Sequence, residues 1–129
     1  MRPKRYTAER SWAGKFRDAF RGLIAGVRGQ SSFFVHFFAT AAVIAAAAVL
    51  GVNRYEWSIL LLCITVVLVA EMFNSSLESM AKAITGRNHP HLGNSLDIGS
   101  AAVLVAAIGA AAVGAIILGH RLGQLLGWW

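Results

Sequence analysis

Apolar residues gather in three long runs along this chain. They read FFVHFFATAAVIAAAAVLGV (33–52), WSILLLCITVVLVAEMF (57–73) and IGSAAVLVAAIGAAAVGAIILG (98–119). A bilayer core takes roughly 20 apolar residues per helix, so each run predicts a membrane-spanning helix. No proline or glycine interrupts the chain between Trp57 and Thr85, and Gly86 is a natural C-terminal stop. The middle helix is therefore expected to run for roughly 28 residues, about 42 Å, and to project beyond the hydrocarbon. The segment GRNHPHLGNS (86–95) predicts a turn-rich connection before the last span.

Ahead of the first span, WAGKFRDAFRGLIAGVRG repeats with a helical period. With Phe16 at zero and about 100° per residue, Trp12, Ala19, Phe20, Leu23 and Val27 fall within roughly 60° of it. Arg10, Arg17, Arg21 and Arg28 collect on another side, about 100° to 140° round. This pattern predicts an amphipathic helix lying on the membrane surface, arginines towards headgroups or anions. The expected fold is all-α. Residues 1–32 form an N-terminal part with the surface helix, 33–119 a transmembrane domain of three helices, and 120–129 a short tail. Ala102, Ala106, Ala110 and Gly114, like Ala41 and Ala45, recur every four residues and predict close helix approach. Three helices make a thin bundle, so a homo-oligomer is expected.

Composition agrees: of 129 residues 57% are hydrophobic and 14% charged, which excludes a large soluble core protein. The first run begins only after thirty-two polar or amphipathic residues, unlike a cleaved leader. The net charge of +6 does not point to nucleic acid, because eight of the twelve Lys and Arg residues precede Phe33. That bias follows topology. The positive-inside rule puts the N-terminus and the second connection in the cytoplasm and the first connection and the tail outside. Trp57, Trp128 and Trp129 suit interfacial anchoring, and the single Cys63, inside a span, suits packing.

The end of the middle run, LVAEMFNSSLESM (68–80), carries the candidate chemistry. Glu71, Asn74 and Glu78 are spaced i, i+3, i+7, which makes one polar stripe on a helix. An ionised carboxylate at the bilayer edge is costly unless partnered, so the stripe is either a functional site or an interhelical contact. Asp97 opens the last run at the same depth, where capping that helix would turn it to face the stripe. Oxygen donors of this kind suit magnesium or a general base, and the spacing alone does not choose. The chain lacks a GxxxxGK loop, a kinase glycine-rich loop, a GxSxG elbow and an HExxH pair. His36, alone in the first span, is expected to hydrogen-bond between helices. His89 and His91 lack a third ligand for zinc.

EMFNSSLES followed by NHPHLGNSLDIGSAAVLVA resembles the prokaryotic diacylglycerol kinase family, which includes the undecaprenol kinases. The likeness extends from about Trp12 to Leu118. It implies a homotrimeric lipid kinase of the bacterial cytoplasmic membrane. That enzyme would move the γ-phosphate of ATP, with Mg2+, to a lipid alcohol in sites shared between subunits. Carried over by position, Glu71 is the general base, Asn74 a polar residue beside it, Glu78 a magnesium ligand, and Asp97 and His89 residues of the nucleotide site. Gln30 stands where similar sequences place a glutamate for metal and nucleotide, Leu96 where they place lysine, and Lys82 where an acid is common. Either Arg17, Arg21, Arg28, Lys82 or Arg87 supplies the missing positive charge, or turnover is slow, or activity has been lost. Diacylglycerol, converted to phosphatidic acid, is the favoured substrate, with undecaprenol as the alternative. A non-catalytic membrane scaffold is the third reading.

Overall fold

A computed structural model describes residues 11–28 and 31–129 of the chain. Gln30 and Arg10 lie outside these residues. Four helices follow one another: α1 (Trp12–Val27), α2 (Ser31–Leu50), α3 (Arg54–Ile84) and α4 (Pro90–Leu125). The last three are long and apolar enough to cross a membrane. At 1.5 Å per residue they measure about 30, 46 and 54 Å. The protein is an all-α membrane protein.

α1 starts at Ser11, whose hydroxyl accepts the Gly14 N–H and so satisfies one of the free donors of the first turn. Trp12, Phe16, Phe20 and Leu23 are all exposed on it, as the amphipathic reading requires. Between α2 and α3 the chain reverses in three residues. Gly51 has φ +65°, a left-handed conformation that glycine adopts without penalty. Asn53 then caps α3. Its side chain accepts the N–H groups of Tyr55 and Glu56, while the Glu56 carboxylate accepts the Asn53 N–H in return. Val52 folds back on Ala47 and Leu60, and Val43, Trp57, Ile117 and Leu118 close round this small core. Trp57 therefore packs against the core beside the α2–α3 turn.

The spans run up, down and up. Near the N-terminus of α2, Ser32 meets the second half of α3 at Glu71, and at the opposite end Arg121 of α4 meets Glu56 at the start of α3. α4 packs chiefly on α3, and α2 touches both more lightly. α3 is the central helix.

Two expectations need correction. The segment 86–95 is only half a loop, since α4 begins at Pro90 and takes in Gly93, Asn94 and Ser95. Pro90 at the first helical position is preorganised for a helix start, and the Ser95 hydroxyl donates to the His91 carbonyl instead of breaking the helix. Asp97 consequently does not cap α4. The cap position belongs to His89, without a side-chain hydrogen bond, and Asp97 sits two turns further in. α4 also continues to Leu125, where Trp129 folds back over Gly123, stacks on the His120 ring and donates its indole N–H to the His120 carbonyl at 3.3 Å.

Candidate active site

α3 continues unbroken past its apolar portion, which carries Glu71, Asn74 and Glu78 along one side of a rigid helix. Glu71 is 2% exposed. A carboxylate that deep needs partners, and both come from the first turns of α2. Ser32 Oγ donates a hydrogen bond to Glu71 Oε1, and His36 Nε2 stands 3.5 Å from Glu71 Oε2. Ser32 and His36 are spaced i, i+4, so one face of α2 presents both. One turn beyond Glu71, the Asn74 amide N–H donates to Glu78 Oε1 at 3.2 Å.

α4 is fitted to this stripe by a missing side chain. Gly99 is buried against Asn74 and Leu77, and a Cβ there would lie 2.6 Å from Asn74 Oδ1 and 2.9 Å from Leu77 Cδ1. Asn74 Oδ1 and the neighbouring Ser75 Oγ are buried and have no hydrogen-bond partner among the described residues. Buried polar atoms are seldom left so, and an orphan acceptor beside a buried carboxylate is where a ligand donor or cation fits. Because Gly99 faces α3, Asp97, two residues earlier and about 200° round the helix, is turned away. It is exposed and does not join the stripe within its own chain. The sequence expectation that Asp97 faces Glu71 and Glu78 is thus not met inside one chain.

Below the stripe a cleft of about 640 Å³ opens at the α3–α4 turn, lined among others by Lys82, Thr85, Arg87, His89 and Leu96. It combines two cationic side chains with an exposed imidazole. Arg17 stands exposed on α1. Among the described residues no three His, Cys, Asp or Glu side chains gather as a metal cage. The oxygen donors here, Glu78 and the spare acceptor of Asn74, suit an ion that arrives with a phosphate ligand.

Ser32 and Gly99 escaped the sequence reading. A serine at a helix start and a glycine in an apolar run are both common, and only the depth of Glu71 gives them meaning. The hydrogen bond expected between helices for His36 is not formed; its Nε2 instead stands 3.5 Å from the buried carboxylate.

The sequence also matches known proteins. Residues 17–118 match the family model described as prokaryotic diacylglycerol kinase. A diacylglycerol kinase of Synechocystis is 34% identical over 104 residues, 80% of this chain and 59% of that protein. One from Pseudomonas aeruginosa is 31% identical, over 66% of this chain and 69% of its own. The Escherichia coli K12 diacylglycerol kinase is 29% identical over 81% of this chain and 86% of its own. The chain thus spans less than two thirds of the Synechocystis relative and most of the Escherichia coli one. By this match over most of its length, and by its identity to these relatives, the chain belongs to the prokaryotic diacylglycerol kinase family, a family of lipid kinases.

Proposed function

We propose that the protein transfers the γ-phosphoryl group of ATP to the primary hydroxyl of a membrane lipid alcohol, diacylglycerol before undecaprenol. The observation that carries the reading is the burial of Glu71 in a span, hydrogen-bonded by Ser32 with His36 Nε2 3.5 Å away. A partly desolvated carboxylate is a competent general base for an alcohol. In the proposed step the lipid oxygen attacks the γ-phosphorus in line. The bond to the β,γ-bridging oxygen breaks, ADP leaves, and the hydroxyl proton passes to Glu71.

The phosphates fit the cleft beside Lys82, Arg87 and His89, whose lining carries positive charge next to the stripe. Glu78 and Asn74 Oδ1 would hold magnesium brought in with the nucleotide, and Gln30, outside the described residues, is the further donor that the resemblance implies. Bound there, the ion would offset phosphate charge. By the positive-inside rule this end of the bundle is cytoplasmic, in the bacterial cytoplasmic membrane. We further propose a homotrimer, consistent with the thin bundle and the outward turn of Asp97.

Purified protein incubated with labelled ATP, magnesium and separate vesicles of diacylglycerol or undecaprenol tests both activity and acceptor. Label is expected in diacylglycerol, and Glu71→Gln should remove it by at least about 100-fold while the oligomer still assembles. A fully active Glu71→Gln enzyme would strip Glu71 of the base role. No label in either lipid would favour the non-catalytic scaffold.

A further inference from the structure

The lipid-kinase reading leaves one titratable group of the site without a task. His36 is 16% exposed at its side chain, sits inside a span, and places Nε2 at 3.5 Å from the carboxylate that the reading makes the base. Its other side lines an apolar groove of about 320 Å³ between α2, α3 and α4, with Thr40, Cys63 and Val67. That groove keeps the imidazole in a medium of low polarity, where its interaction with Glu71 is screened far less than on a surface. A histidine used only for packing would have no reason to present a ring nitrogen to the most buried carboxylate among the described residues.

We infer that His36 and Ser32 form a clamp that positions Glu71 for proton abstraction. Ser32 donates a hydrogen bond to one carboxylate oxygen, and His36, on the same face of α2, stands 3.5 Å from the other. A carboxylate has about four acceptor sites on its two oxygens, so the clamp leaves lone pairs for an incoming hydroxyl while fixing the rotamer. Contacts of this sort tighten when substrate arrives, which suits a separation of 3.5 Å in the free protein. His36 is on this argument a positioning residue. It touches the base and acts through it. The inference rests on the kinase reading for its catalytic meaning and on the geometry alone for the clamp.

The test uses the full-length protein in vesicles of diacylglycerol and phosphatidylglycerol, with the variants His36→Phe, His36→Gln and Ser32→Ala. His36→Phe should lower kcat at least about 10-fold with KM for MgATP within about twofold, because the base is misaimed while the nucleotide cleft is untouched. His36→Gln, whose amide can donate to the same oxygen, should recover most of that loss. Ser32→Ala should mimic His36→Phe more weakly. A second readout needs no turnover. The carboxylate stretching bands of Glu71 in infrared spectra, assigned by their disappearance in Glu71→Gln, should shift in His36→Phe and return in His36→Gln. Unchanged bands and kcat in His36→Phe would overturn the clamp, as would equal losses in the Phe and Gln variants carried by KM. Should the wild type phosphorylate no lipid, the kinase reading fails on its own and the infrared bands still decide the clamp.

Discussion

A methyl group at residue 99 would be cheap for the fold and expensive for the site. Gly99→Ala puts a Cβ 2.6 Å from Asn74 Oδ1. The atoms in its way are the ends of the Asn74 and Leu77 side chains, which can rotate at a cost of about 1 kcal/mol. Alanine also gains about 1 kcal/mol over glycine in a helix interior, which offsets the clash. The unfolding midpoint in micelles should therefore move by no more than a few degrees. Turnover should nonetheless fall about 10-fold, because rotating Asn74 breaks its hydrogen bond to Glu78. A variant equally active and equally stable would show that Asn74 does not matter where it stands. Leu96 offers the opposite experiment. It is half-buried in the lining of the cationic cleft, close to Lys82 and Arg87, and Leu96→Lys adds a donor for phosphate there. The KM for MgATP should drop about threefold to tenfold, the usual worth of one charge-assisted contact, and titration of initial rates against nucleotide measures it.

Among the elements, α3 bears both the site and the turn that orders the bundle, at opposite ends. Asn53 and Glu71 are eighteen residues apart, about 27 Å along the helix. Asn53→Ala should lower stability by about 1 kcal/mol through the lost cap while leaving kcat unchanged. Gly51→Ala should do the same, since the left-handed backbone at Gly51 costs any other residue about 1 kcal/mol or more. Parallel thermal unfolding and turnover assays separate these end effects from those at the site, and a cap variant that lost activity in proportion to stability would couple the two ends. The sequence revealed α3 well, because an unbroken apolar stretch ending in Glu71, Asn74 and Glu78 admits few other foldings. The start of α4 was hidden. Gly93, Asn94 and Ser95 suit a turn as readily as the inside of a helix that Pro90 has already nucleated, and local preference yielded to the close approach of Gly99 to Asn74 and Leu77 on α3. That two-turn extension is also what moved Asp97 from a cap to an outward face. The clamp on Glu71 was invisible for another reason: Ser32 and His36 are 39 and 35 residues from it in sequence, and only the antiparallel turn at Gly51 brings them to one depth.

At the scale of the whole molecule, a single chain is left with an acid pointing the wrong way. Asp97 is exposed and turned from the stripe, while Glu71 and Glu78 lie along α3 with α2 on one side and Gly99 on the other. If Asp97 serves the nucleotide, the site it serves belongs to a neighbouring subunit, and a symmetric assembly repeats that arrangement at every interface. The consequence is measurable. Glu71→Gln and Asp97→Asn homo-oligomers should each be inactive. Unfolding the two together and reassembling them in mixed micelles should regenerate about a quarter of the wild-type sites, since random mixing pairs an intact Glu71 with an intact Asp97 that often. Mixing without reassembly should regenerate none. If both residues of a site came from one chain, every chain in the mixture would carry one lesion and no activity would return, so recovery separates a shared site from a private one without any further structure.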